Sequence, residues 1–171
     1  MKNYLCLVSY LGHAYKGWQR QKRSLTVQGK IEECLSIYFG SPITISGAGR
    51  TDAKVNAIGQ AFLSEREISS TDSFLFAMNH RLLPSDISIL SIEEKPLDFH
   101  ARHSSVSKTY RYSFRLGEKN PLESVTVAQM GTRPFCLDDF LKALQMLLGT
   151  HKFWDFTNKE EDVGNFIKTI Y

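Results

Sequence analysis

Paired cysteines are missing from this sequence. The three present, Cys6, Cys34 and Cys136, lie far apart. None belongs to a CxxC or to a Cys/His spacing that suits zinc, which argues against a structural metal site. Such an odd, sparse set fits a reducing compartment. Long apolar runs are missing too, and none approaches the roughly 20 residues of a membrane helix. Met1-Lys2-Asn3 leads straight into a strand-like stretch, with no signal-peptide apolar region and no Arg-rich transit segment. The expectation is a cytoplasmic protein without membrane contact. Acid is missing in two places. No Asp or Glu precedes Glu32, where Lys2, Lys16, Arg20, Lys22, Arg23 and Lys30 stand. None falls between Asp98 and Glu118, where His100, Arg102, His103, Lys108, Arg111 and Arg115 stand. Net charge is only +3, so the distribution says more than the total. Interleaved with Tyr15, Trp18, Tyr110 and Tyr112, these basic stretches suit an RNA backbone and its exposed bases. Ordinary solvated surface is the plainer alternative.

What is present is a chain of 171 residues, enough for one domain, or one large domain with an extension, and for a core without staples. Tyr4 to Tyr10 reads as a strand. Leu11 to Ser24 is a basic loop. Thr26 is a helix N-cap, and Val27, Ile31, Cys34, Leu35 and Tyr38 follow at helical spacing until Gly40 and Pro42. Cys34 is thereby a packing residue. Ile43-Thr44-Ile45 and Ala57 to Leu63 read as strands on either side of a turn. Ser70 to Ser73 caps a second helix, with Phe74, Leu75, Met78 and Leu82 inward, and Pro84 ends it. Ile87 to Glu93 alternates as a strand. The order β-α-β-β-α-β is that of the ferredoxin-like split βαβ.

Beyond Pro96 the pattern changes. Ser104 to Leu116 reads as one long strand, with Val106, Lys108, Tyr110, Tyr112 and Phe114 on one face. Val125 to Met130 is a short strand. Asp138 and Asp139 open a helix that runs through Phe140, Leu141, Leu144, Leu147 and Leu148 to Gly149. Thr157 to Asn165 is a polar, acidic loop, and Phe166 to Tyr171 begins a strand. The expected fold class is α+β and mostly antiparallel. A ferredoxin-like half at 1–95 is joined to an incomplete second α+β half at 96–171.

The chain is organised around Ser46-Gly47-Ala48-Gly49-Arg50-Thr51-Asp52-Ala53, a glycine-rich turn between two apolar runs. Glycines at 47 and 49 permit positive φ and close backbone approach. The tip presents one cation, one hydroxyl and one carboxylate, a place to hold a polar ligand against a single acid. The plain alternative is a hairpin loop with a local Arg50–Asp52 ion pair. A nucleotide-phosphate loop at Gly47-x-Gly49 ranks low. It lacks the Lys-Ser/Thr of a Walker A loop and opens into a strand, not a helix.

Gly49-Arg50-Thr51-Asp52-Ala53 resembles the signature of the TruA-type tRNA pseudouridine synthases. Gly17-Trp18-Gln19-Arg20-Gln21 resembles that family's early G-W-Q-R-Q, and Thr26-Val27-Gln28 its S/T-V-Q helix start. Asn79 to Asp86 resembles N-x-x-L-P-x-D, Asp98 to Arg102 resembles D-F-H-A-R, and Lys108 to Tyr112 resembles the basic-x-Y-x-Y strand. All six occur in the family's order, across nearly the whole chain. The resemblance implies an isomerase that converts uridine to pseudouridine in the anticodon stem-loop of tRNA. It assigns the catalytic carboxylate to Asp52. By the same resemblance Arg50, Thr51, His100, Arg102 and Tyr110 meet the substrate, with Tyr110 stacking on the target base. Arg20, Gln21, Lys22, Arg23, Lys108 and Arg111 would contact RNA. The reaction breaks the N1–C1′ bond and joins C5 to C1′ without redox change, so no cofactor and no metal is expected. tRNA is the expected partner, and the family implies a homodimer.

Two positions depart from the family's G-R-T-D-A-G-V-H-A. Lys54 replaces a glycine and Asn56 a histidine. If position 54 needs positive φ, lysine strains the loop beside the carboxylate; otherwise it adds an RNA-facing charge. Family members also continue past this point, with a basic F-x-H/R-x-M-V-R segment that this sequence does not contain. The chain is accordingly expected to be a fragment or a truncated member. An RNA-binding relative without turnover is the alternative function.

Overall fold

Alternation in the first strand sorts its residues between two faces. The computed structural model describes residues 2–84, 86–156 and 166–171. Strand β1 (Asn3–Tyr10) buries Tyr4, Cys6, Val8 and Tyr10, the even face that period-2 geometry selects. Helices α1 (Val27–Phe39) and α2 (Thr71–Leu82) cover that face. Their inward residues, Val27, Ile31, Cys34 and Leu35 from one and Phe74, Met78 and Leu82 from the other, complete the main core with Phe62, Ile87 and Ile89. Each helix starts at a predicted cap. Thr26 Oγ1 accepts from Gly29 N at 3.3 Å and Ser70 Oγ from Ser73 N at 3.3 Å. Gly40, at φ 65°, closes α1 in the left-handed conformation.

Strands β2 (Ser46–Gly47), β3 (Ala57–Ser64) and β4 (Ile87–Lys95) join β1 in a four-stranded sheet of order β2-β3-β1-β4. All three pairings are antiparallel; Cys6 lies opposite Phe62 on one side and Ile92 on the other. This is the ferredoxin-like arrangement expected of β-α-β-β-α-β. The other face of the sheet carries a smaller core of Ala48, Leu63 and Ala101, flanked by Leu5, Ala61 and Phe99. That small core seats the glycine-rich turn and the Asp98–Arg102 turn on one surface.

The molecule is mixed α+β and mainly antiparallel, but three expected elements differ. The strand predicted at 43–45 is confined to Ser46–Gly47. Ile43 and Ile45 are buried, yet their backbone bonds to side chains of α1 instead of a ladder. Ile43 N donates to Ser36 Oγ at 2.9 Å, and Ile45 N to Glu32 Oε1 at 3.1 Å. The long strand predicted at 104–116 is only β5 (Phe114–Leu116), paired with β6 (Ala128–Gly131). Residues 104–113 belong to no strand, and Tyr110, Tyr112 and Val106 are exposed. Alternating side chains do not make a strand where no partner backbone is aligned. The helix predicted from Asp138 is α3 (Leu137–Gln145), which stops short of Gly149. From Gly149 the chain instead enters β7 (Gly149–Lys152), paired antiparallel with β8 (Ile167–Ile170). The predicted loop at 157–165 lies outside the described residues.

By internal contacts the chain divides into two compact units, Met1–Arg115 with Lys119–Gln129, and Leu116–Glu118 with Met130–Tyr171. The first holds the sheet, α1, α2 and, among the described residues, every buried one. In the second, no described residue is buried. No helix among the described residues is long and apolar enough to cross a membrane.

Candidate functional site

The glycine-rich turn is fastened at both ends. At its start, Ile45 is held through both backbone groups. Glu32 Oε1 accepts from its N–H at 3.1 Å, and Gln28 Nε2 donates to its carbonyl at 3.2 Å. Ala48 N then donates to Ala61 O at 2.8 Å. At its end, Trp18 N donates to Thr51 O at 3.0 Å, and the Tyr10 and Thr51 hydroxyls meet at 2.9 Å. Burial pushes the Tyr10 hydroxyl's pKa up, and the bond to Thr51 works against that shift. Lys54 N donates to Tyr15 O and Val55 N to Asp52 O, both at 3.2 Å. A methyl at Gly47 would lie 2.6 Å from Trp18 Nε1, and one at Gly17 only 2.7 Å from Thr51 O. The first basic loop and the turn are therefore packed backbone to backbone, which only glycine at those positions allows.

Between these fastenings stand Arg50, Thr51 and Asp52. The Arg50 and Asp52 side chains are exposed. Among the described residues neither has a hydrogen bond or an ion pair, so the local Arg50–Asp52 pair of the plain reading is not formed. Thr51 turns inward to Tyr10 and serves to set the turn.

Arg50 lines a cleft of about 610 Å³ with His100, Arg102, His103 and Lys108. Trp18, Gln19, Gln28, Ile45, Ser46, Gly47 and Gly49 complete its lining. The Asp98–Arg102 motif supplies two of its walls by alternation. Phe99 and Ala101 join the small core, which leaves His100 and Arg102 on the cleft side. His100 Nδ1 accepts from Arg102 N at 3.2 Å and His103 N at 3.3 Å, and the two imidazoles lie 4.3 Å apart. Lys108 Nζ reaches the Ala48 carbonyl at 3.5 Å. Gln60 Nε2 caps the Gly49 carbonyl at 2.9 Å. Such a cleft is lined by cations and by donors, a surface for an anionic ligand.

An adjoining cavity of about 560 Å³ shares Gln19 and Gln28 with this cleft and adds Arg20, Gln21, Lys22, Glu32 and Thr44. Gln21 Nε2 donates to Lys16 O at 3.3 Å, and its backbone bridges to Ser24. Arg20 is bound to Glu32 at 2.9 Å. Arg23 is exposed and lines neither cavity. Tyr110 (74% exposed) and Arg111 also line neither. Asp52 lies outside the cleft lining, two residues beyond Arg50.

Sequence reasoning named His103 only within a basic stretch and Gln28 only within a helix start, and gave Glu32 no role. His103 follows His100 by three residues in an acid-free stretch, a signal that was present. Glu32 follows Gln28 by four on α1, a polar pair beside an apolar stripe. Among the described residues no group of three His, Cys, Asp or Glu side chains is placed to hold a metal.

Asn56 and Lys54, the two departures, take different parts. Asn56 Oδ1 accepts from Gly12 N at 2.7 Å, and its amide reaches Val125 O at 3.4 Å. Lys54 sits at φ 68°, left-handed backbone that a side chain disfavours.

Comparison with known proteins finds a family. The family model described as tRNA pseudouridine synthase matches residues 7–104, which include most of the sheet, α1, α2 and the turn. A tRNA pseudouridine synthase A from Chlamydia felis is 36% identical over 174 residues, covering 100% of this chain and 65% of the relative. Those from Caldicellulosiruptor bescii and Finegoldia magna are 34% and 39% identical, with 70% of each relative covered. The chain thus spans about two thirds of the length of these relatives. By the matched family model and by these identities, the chain belongs to the tRNA pseudouridine synthase family.

Proposed function

We propose that this chain isomerises uridine to pseudouridine in the anticodon stem-loop of tRNA, with Asp52 as the reacting carboxylate. The observation that carries the reading is an acid with no partner of its own on a turn fastened at both ends. Next to it stands a cation, Arg50, that opens into a basic cleft. A carboxylate so held can act as nucleophile or base at the sugar–base bond. The N1–C1′ bond breaks and C5 joins C1′; C5 gives up its proton and N1 takes one, so atoms and electrons balance without an external oxidant or reductant.

The target base must leave its stack, at a cost of a few kcal/mol. Arg50 takes the vacated place or holds the flipped nucleotide's phosphate. His100 and Arg102, both in the cleft, contact the substrate strand, and Tyr110 supplies an exposed ring for stacking. Thr51 orients the turn through Tyr10. Gln21, Lys22, Arg23, Lys108 and Arg111 are the proposed contacts to the RNA backbone. The protein works as a homodimer in the cytoplasm, the state that sedimentation with and without tRNA would read.

The test is pseudouridine formation on unmodified tRNA by the wild-type chain and by Asp52→Asn. Wild type is expected to form product, and the substitution to lower the rate by about 10³-fold or more, as loss of a reacting group does. Equal product from both proteins would remove Asp52 from the mechanism. Salt-sensitive tRNA binding with no product from either would leave an RNA-binding relative.

A further inference from the structure

Glu32 is a carboxylate on the core-facing side of α1, and its side chain is 2% exposed. The reaction proposed above has no use for it. Its partners are Ile45, just before the turn, Arg20, in the loop that packs on the turn, and Gln28, one helical turn back on α1. Oε1 accepts from Ile45 N at 3.1 Å and from Gln28 Nε2 at 2.9 Å, and Oε2 accepts from Arg20 Nη1 at 2.9 Å. Gln28 closes the set: its Nε2 also donates to Ile45 O at 3.2 Å, and its Oε1 accepts from Arg20 N at 3.0 Å. Two side chains of one helix thus serve as a substitute strand for Ile45, binding both its N–H and its C=O. A buried carboxylate holds such a position only while its charge is matched. Among the described residues Arg20 is its one ion-pair partner.

We propose that Arg20 is a positioning residue that acts through Glu32 on the start of the catalytic turn, and is not a contact to RNA phosphate. The same loop that carries Arg20 also fastens the end of the turn, through Trp18 N to Thr51 O. Removing the guanidinium leaves Glu32 buried and unmatched. Ile45 then loses its acceptor as the carboxylate turns toward the adjoining cavity. That displacement falls five residues before Arg50 and seven before Asp52. The inference rests on the activity proposed above, but part of its test needs no turnover.

The experiment compares wild type, Arg20→Ala, Glu32→Gln and the double variant, with Arg20→Lys as the milder substitution if Arg20→Ala fails to fold. A neutral glutamine at position 32 still offers an oxygen to Ile45 N–H and needs no cation. Arg20→Ala is expected to lower kcat about tenfold with KM for tRNA unchanged, and adding Glu32→Gln to restore kcat to within about threefold, the non-additivity of a coupled pair. Hydrogen exchange at the Ile45 amide speeds up in Arg20→Ala and is restored in the double variant. The slope of log K for tRNA against log salt stays at its wild-type value. A slope reduced by about one in Arg20→Ala, with no rescue by Glu32→Gln, makes Arg20 a phosphate contact and overturns the proposal. If wild type forms no pseudouridine, the proposed activity fails alone, because exchange and salt slope still decide the role of Arg20.

Discussion

Lys54 shows how much one backbone angle decides. Its φ of 68° lies where a Cβ is disfavoured by roughly 1–2 kcal/mol. The turn keeps it there through Lys54 N to Tyr15 O and Val55 N to Asp52 O. Replacing Lys54 by glycine is expected to stabilise the fold by about 0.5–1 kcal/mol, since glycine's greater chain entropy offsets part of the relief. Lys54→Ala should give no such gain, because alanine keeps the Cβ. Urea midpoints for the three proteins check this, and an equal gain from alanine would locate the effect in the lysine's charge. A second residue contributes to the alkaline limit. Burial in the main core pushes the Cys6 thiol up to about 12 from 9.0. The native pKa is raised, so this contribution is complete below pH 9 and is lost as pH rises toward 12. At pH 10 the loss amounts to about 1.4 kcal/mol, since a tenfold thiolate excess in the unfolded chain is one pKa unit. Stability measured between pH 8 and 10.5 should therefore fall less steeply in Cys6→Ala than in wild type. Parallel curves would show that other groups govern the decline.

Elements were legible in the sequence where burial and backbone bonding coincide. The caps Thr26, Ser70 and Gly40, and the alternation in β1, place the two helices and the central strand. Residues 43–45 show the two properties parting. Their isoleucines are buried, as a strand's would be, but the backbone is bound by Ser36, Gln28 and Glu32 of α1. Periodicity reports where side chains go and is silent on what holds the N–H and C=O groups. The stretch 104–113 fails for the opposite reason: it alternates well but has no aligned partner. β7 was invisible because Gly149-Thr150-His151-Lys152 is exposed on both faces and carries no apolar signal. The same reasoning separates the parts of the site. The cations Arg50, Arg102 and Lys108 and the imidazole of His100 were readable as types, and the fold gathers them because Ala48 and Ala101 share one small core. Arg20 read as one more surface cation, because nothing in a sequence discloses that a glutamate twelve residues away is buried beneath it.

Among the described residues, burial is concentrated at one end of the sequence. Every buried residue from Asn3 to Ala101 belongs to the unit built on the four-stranded sheet. In α3, Phe140, Leu141 and Leu144 remain 37–46% exposed, and β7 and β8 have no buried residue. Free energies of local opening follow the apolar area that opening exposes, from nearly nothing up to the global value. Opening α3 or the β7–β8 pair costs little of the main core, whereas opening β1 costs nearly all of it. Hydrogen exchange by mass spectrometry is therefore expected to grade sharply along the chain. Peptides from β1, α1 and β3 should remain protected long after those from α3 and β7 have exchanged. Added tRNA should slow exchange further in 46–52 and 98–108, where the cleft and the turn lie, and leave α2 unchanged. Uniform protection along the chain would contradict this division, since it would require α3 to open only with the sheet. Protection by tRNA confined to α3 and β7–β8 would move the RNA surface away from the cleft that Arg50, His100 and Arg102 line.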